Sequence, residues 1–340
     1  MEMVEFLFSE SDKARVRELL SSYNLNYDDD YDTLLGVHDV NGRLVATGAR
    51  SGYILKMIAV ACDCQSTDLY SEILTALVDD GYKAGHESFF VFTKPEFYSA
   101  FTALNFHMLS ITSKVVLLEY GRGIKSYLNR HKSKVRSGEN GAVIVNCNPF
   151  TRGHQYLIEC ASEQCEHLYV FVVEEDSSTF PYSVRMRLVQ QGTEHLSNVT
   201  VLPTGNYAVS RGTFPSYFIS QDVDIITHQI ETDLNIFAKH IAPFFNIKTR
   251  FAGTEPYCSI TGRYNEGMEE ILPANGISFE EIQRAELNED DFISASKVRK
   301  LISEEKIEEA GRYLPEITYK YIQSEEFTKD VSIKIMAGRH

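Results

Sequence analysis

The stretch Val143-Ile-Val-Asn-Cys-Asn-Pro-Phe-Thr-Arg-Gly-His154 decides how the second half of the chain is read. A β-branched apolar run ends at Asn146, a proline-containing turn follows, and a helix starts near Gly153. The first turn of a helix leaves backbone N–H groups unpaired, and these attract anions. Gly153 lets a phosphate approach the backbone, His154 can donate a hydrogen bond from the same turn, and Thr151 adds a hydroxyl. On these residues alone, a histidine that only caps the helix is an equal reading. Outward from this stretch, Ala142–Asn146, Leu168–Val173, Val199–Leu202, Asp224–Thr227 and Ile247–Ala252 read as strands. Gly153–Glu166 and Ser183–Leu196 read as helices between them. Such alternation implies a doubly wound parallel α/β sheet, with ligands beyond the carboxyl ends of its strands.

A second segment, Ile293-Ser-Ala-Ser-Lys-Val-Arg299, opens a helix running to about Ser303. Ser296 is the expected N-cap, with Ser294 and Arg299 close to the same helix start. Hydroxyls, free N–H groups and a guanidinium at one helix terminus suit a phosphate. Read by itself, the segment is better taken as an ordinary capped helix with a solvated arginine. Two such helix starts in one α/β domain fit the two ends of a nucleoside triphosphate. Weaker candidates are Gly253-Thr-Glu-Pro256 at a strand end, and Arg185 and Arg187 at a helix start. The acidic run Asp28–Asp30 with Asp32 lacks the glycine and distal glutamate of a calcium loop and reads as a solvated turn.

The first 120 or so residues read differently, as an α+β unit. Asp12–Ser22, Leu69–Lys83 and Glu96–Leu104 have helical character. Thr33–Val40 and Arg43–Arg50 flank Asn41-Gly42, a hairpin signal, and Ile54–Val60, Ser88–Thr93 and Thr112–Glu119 read as further strands. Residues 121–140 form a basic, partly helical connector carrying Arg122, Lys125, Arg130, Lys132, Lys134 and Arg136. The expected domains are therefore 1–120 and 141–340. With 33 basic and 48 acidic residues, the net charge of −15 argues against coating nucleic acid or an anionic membrane. No apolar stretch approaches the roughly 18–20 residues needed to span a bilayer. The six cysteines have neither CxxC nor zinc spacing, so a reducing cytoplasmic setting is expected.

Thr151-x-Gly-His154 resembles the TxGH variant of the HxGH motif of the nucleotidylyl transferase superfamily, and Ile293-Ser-x-Ser-x-x-Arg299 resembles its ISxSxxR signature. With Asn148-Pro-Phe-Thr-Arg-Gly-His154, Thr213-Phe-Pro-Ser-Tyr-Phe218, Gly253-Thr-Glu-Pro256 and Tyr264-Asn265, the chain resembles the citrate (pro-3S)-lyase ligase family over nearly its whole length. That resemblance implies a Rossmann-like HxGH nucleotidylyl transferase domain behind a smaller acetyltransferase-like (GNAT) domain. It implies an AMP-forming ligase in which acetate attacks ATP, assisted by Mg2+. The acetyl group of the resulting acetyl-adenylate then passes to the phosphoribosyl-dephospho-CoA thiol on the acyl carrier subunit of citrate lyase. His154, Thr151 and Arg299 would be catalytic. Asn148, Gly153, His154, Gly253, Thr254, Ser294, Ser296 and Arg299 would hold the nucleotide, with no protein-bound metal. Gln65-Ser-Thr-Asp-Leu-Tyr70 puts Asp68 and Tyr70 where acetyltransferases have pyrophosphate-binding glycines, so no acetyl-CoA-dependent activity is expected of the first domain. An adenylyltransferase acting on a pantetheine phosphate and a non-catalytic ATP-binding assembly factor are the competing functions.

Overall fold

In a computed structural model, the run that opens the motif becomes strand Asn140–Val145, at the centre of a five-stranded parallel sheet. The structure describes residues 3–64, 68–174, 178–209, 214, 217–218, 224–254, 259–285, 292–327, 331 and 335. The chain divides into two compact units, one of Met1–Asn129 with Val209–Ile236, the other of Arg130–Ala208 with Phe237–His340.

In the first unit, β1 (Glu5–Phe6), β2 (Thr33–His38), β3 (Leu44–Ser51), β4 (Ile54–Val60), β5 (Ser88–Thr93), β6 (Phe106–Ile111) and β7 (Val116–Gly121) form one sheet in the order β1-β2-β3-β4-β5-β7-β6. All neighbours are antiparallel except β4 and β5, which pair only at Ile54 with Phe90 and Leu55 with Val91. Helix α1 (Glu10–Ser21) starts in a capping box between Ser9 and Asp12, and α2 (Leu69–Lys83) buries Ile73, Leu74 and Leu77. Between β2 and β3, Gly42 takes φ +76°, a left-handed setting that glycine adopts freely. The helix expected at Glu96–Leu104 shrinks to a 3-10 turn and α3 (Tyr98–Thr102), followed by α4 (Gly123–Arg130) after β7.

Strand β6 was hidden because a register shift between Met108 and Ser110 breaks its alternation. The acidic run is not simply solvated. Asp28 pairs with buried Lys56 at 2.9 Å, and Asp32 with buried Arg50 at 3.2 Å. Gln65, Ser66 and Thr67 lie outside the described residues.

In the second unit, β8 (Asn140–Val145), α5 (Arg152–Ser162), β9 (His167–Val172), α6 (Tyr182–Gly192) and β10 (Val199–Pro203) follow the expected alternation. The chain then contributes Val209–Ile236 to the first unit, where α7 (Ile225–Ile236) packs on β6. The strand expected at Asp224–Thr227 is instead the start of this helix, with Asp224 Oδ1 accepting from Thr227 N at 3.3 Å. Burial of Ile230, Leu234 and Ile236 overrides the β-branched run.

The second unit resumes with α8 (Ala242–Phe244), β11 (Ile247–Gly253), α9 (Ser259–Ala274), β12 (Ser278–Ile282), α10 (Ala295–Ser303), α11 (Ile307–Gly311), α12 (Glu316–Ile322) and α13 (Glu325–Phe327). Its strand order is β10-β9-β8-β11-β12, every pair parallel. The order reverses between β8 and β11, which makes the carboxyl ends of these strands the topological switch point. None of the described helices is long and apolar enough to cross a membrane.

Candidate functional site

After β8 the chain turns through Cys147 at φ 53°, an uncommon setting for a non-glycine residue. A cis Asn148–Pro149 bond and buried Phe150 lead to Thr151, the N-cap of α5. Thr151 Oγ1 accepts from His154 N at 3.4 Å, and Thr151 N donates to His154 Nδ1 at 3.1 Å. The second bond fixes the tautomer: Nδ1 accepts, so the proton of the neutral imidazole sits on Nε2. Burial, reinforced by the positive charge of Arg284, pushes the His154 pKa down from 6.5 to about 4. His154 is therefore a neutral donor at physiological pH.

That depression links to stability. Between pH 6.5 and about 4 the unfolded chain takes up a proton that the folded chain refuses. The stabilisation is fully present above pH 6.5 and is lost as pH falls towards 4, on the order of 3 kcal/mol. Urea unfolding from pH 7.5 to 4.5 is expected to show a shallower pH dependence in His154→Gln than in the parent. Identical slopes would contradict the buried neutral imidazole.

The second motif meets the first directly. Ser294 caps α10, its hydroxyl accepting from Lys297 N at 3.1 Å, so Ser294 rather than Ser296 is the N-cap. Ser296 lies one turn before Arg299 and accepts from its Nη2 at 3.1 Å. Arg299 Nη1 donates to Asn148 O at 2.5 Å, while its buried Nε has no partner among the described residues. A Cβ on Gly153 would lie 3.3 Å from Ile293 O and 3.4 Å from Ile293 Cγ2. The absent side chain thus admits the Ile293 backbone. Gly153→Ala is expected to push the two helix starts apart by a few tenths of an ångström and to cost roughly 1 kcal/mol by thermal denaturation. An unchanged melting temperature would show that Ile293 yields freely.

These elements border a cleft of about 880 Å³ lined by Asn146, Asn148, Thr151, Gly153, His154, Gly253, Arg284, Ser294, Ser296 and Arg299 among others. Thr254 does not line it; its Oγ1 accepts from Arg284 N at 3.2 Å and fixes the turn after β12. Asn148 is held at both ends, its Oδ1 accepting from Phe180 N at 2.9 Å and its backbone oxygen from Arg299 Nη1. Gly253 faces open space, its carbonyl held by Asn265 Nδ2 at 3.1 Å.

Arg185 and Arg187 lie elsewhere: the first is fully buried, and the second pairs with Glu326 at 2.8 Å. Of the Thr213–Phe218 motif, Phe214 packs on Phe92 in the first unit with ring centroids 5.2 Å apart. Tyr217 also points there, donating to Phe92 O at 3.5 Å. Glu255 and Pro256 lie outside the described residues. Sequence reasoning missed Arg284, because β12 is a polar strand without a clear pattern, and also Asn146, Ser178 and Arg250 as cleft residues.

No aspartate or glutamate is among the described residues lining the cleft, and no described cluster of His, Cys, Asp or Glu could hold a metal. Among the described cysteines, Cys147 borders the cleft, and burial raises its thiol far above the ordinary value.

Residues 140–322 match the family model described as citrate lyase ligase C-terminal domain. The chain is 34% identical over 316 residues to the citrate (pro-3S)-lyase ligase of Haemophilus influenzae, covering 91% of this chain and 94% of the relative. It is 34% identical over 116 residues to the phosphopantetheine adenylyltransferase of Streptococcus gordonii, covering 31% of this chain and 68% of that one. Among solved structures, a GNAT-family acetyltransferase from Staphylococcus aureus Mu50 is similar at 14% identity and a TM-score of 0.31, covering 34% of this chain and 98% of that one.

Proposed function

The chain belongs to the citrate lyase ligase family, and from that premise we propose that it activates citrate lyase by acetylation, through an acetyl-adenylate made from acetate and ATP. In the first step a carboxylate oxygen of acetate bonds to the α-phosphorus, and the bond to the β-phosphate oxygen breaks. The electron pair leaves with pyrophosphate and no proton moves. In the second step the thiol of phosphoribosyl-dephospho-CoA, carried on the acyl carrier subunit of citrate lyase, bonds to the acyl carbon. AMP leaves, and the thiol proton passes to water.

Acetate is already an anion at neutral pH, so the first step needs alignment and charge stabilisation rather than a base. A neutral His154 with its proton on Nε2 suits that task at the α-phosphate, with Thr151 and the α5 N-terminus beside it. Ser294, Ser296, Arg299 and the start of α10 would hold the β- and γ-phosphates. Magnesium carried in on ATP would supply neutralisation of the phosphate charge beside Arg299 and the two helix starts.

The observation that carries this reading is the join between the motifs, Arg299 to Asn148 O and Gly153 against Ile293. It brings the two helix starts to the border of one cleft. The test is acetate-dependent exchange of labelled pyrophosphate into ATP by purified protein with magnesium, alone and with thiol-form citrate lyase. Exchange that requires acetate supports the adenylate. No exchange under either condition rejects it. The similarity to a phosphopantetheine adenylyltransferase favours one alternative, recognised by a stable dinucleotide product instead of an adenylate consumed by thiol.

A further inference from the structure

The end of β8 carries a side chain that neither motif includes. Asn146 is exposed and lines the cleft. Its Oδ1 accepts from Arg185 Nη1 at 2.8 Å and from Ser178 Oγ at 3.3 Å. A guanidinium only donates, so the amide atom facing Arg185 must be the oxygen. Arg185 cannot swing aside: it is fully buried and also donates to Asn146 O at 2.7 Å, Val173 O at 2.8 Å and Phe180 O at 3.0 Å. With Oδ1 held on that side, the planar amide turns Nδ2 the other way, and Nδ2 makes no hydrogen bond to any described residue. The result is a preset pair of N–H donors at the strand end that feeds the His154 loop.

Resting on the acetyl-adenylate reading, we propose that Asn146 Nδ2 binds one carboxylate oxygen of the acid while the other oxygen attacks the α-phosphorus. An anion that must approach a polyphosphate gains from a donor held in place before it arrives. A neutral amide meets that need without competing with Arg299 for the phosphates. The bound oxygen becomes the carbonyl oxygen of the adenylate and takes up negative charge again when the thiol adds to the acyl carbon. Asn146 is therefore placed to assist both half-reactions with one hydrogen bond.

Asn146→Asp separates this role from a structural one. It keeps an oxygen for Arg185 and Ser178 but turns a second oxygen, not a donor, towards the acid. In the pyrophosphate-exchange assay the KM for acetate is expected to rise roughly a hundredfold. The melting temperature should not fall, and the Kd for ATP by calorimetry should stay within about twofold. An unchanged acetate KM in a variant that still exchanges would overturn the proposal, and so would a loss confined to ATP affinity. Failure of the underlying reading looks different, because the parent protein itself would then show no acetate-dependent exchange.

Discussion

His154→Ala is expected to lower acetate-dependent pyrophosphate exchange by roughly two to three orders of magnitude while ATP still binds. The size follows from what the imidazole supplies. Its Nδ1 is occupied by Thr151 N, so only Nε2–H can face the cleft. A single preorganised donor aimed at charge that grows in the transition state is worth far more there than in the ground state. The alanine variant also loses half of the α5 capping box, a cost of about 1 kcal/mol that leaves most of the protein folded. Exchange rates at saturating ATP, combined with ATP affinity by calorimetry, separate the two effects. If the turnover rate holds and only ATP affinity drops, His154 is a binding residue and the catalytic assignment fails. Because His154 titrates near pH 4, the rate of the parent protein should show no histidine inflection between pH 6 and 8.

The parts of the site that follow from local chemistry were legible in the sequence. A β-branched run, a proline turn and a Thr-x-Gly-His start fixed β8, the loop and α5 to within two residues at the start of the helix, although α5 stops at Ser162, short of Glu166. What failed depended on tertiary partners. Ser294 and Ser296 are equally good caps by type, and in the fold Ser294 takes Lys297 N while Ser296 is engaged by Arg299 Nη2. Thr254 sits at the right strand end yet turns to hold Arg284 N. Asp224–Thr227 reads as a strand by composition, but the chain there adds a helix to the first unit's sheet, and nothing local records that detour. Arginine type alone could not distinguish a surface residue from the buried Arg185, whose acceptors lie up to 39 residues away.

Arg185→Met is the substitution expected to cost most stability in the second unit. Methionine fills much of the volume but donates nothing, so the carbonyls of Asn146, Val173 and Phe180 lose the donors that the fully buried guanidinium supplies. Each buried acceptor left unpaired costs about 1–3 kcal/mol, and partial relaxation brings the expected total to on the order of 3 kcal/mol. For a unit of this size that corresponds to a fall in Tm of roughly 6–12 °C. Arg185→Lys should fall between the parent and Met, because one ammonium cannot reach acceptors spread around a planar fork. The consequences extend to the cleft. The three carbonyls belong to the ends of β8 and β9 and to the turn before α6, so Arg185 ties together the strand ends at the switch point. Losing it frees Asn146 to rotate, and the acid should then bind more weakly even below the new Tm. A melting temperature within 2 °C of the parent would mean that water replaces the guanidinium, and that the strand ends are held by the sheet alone.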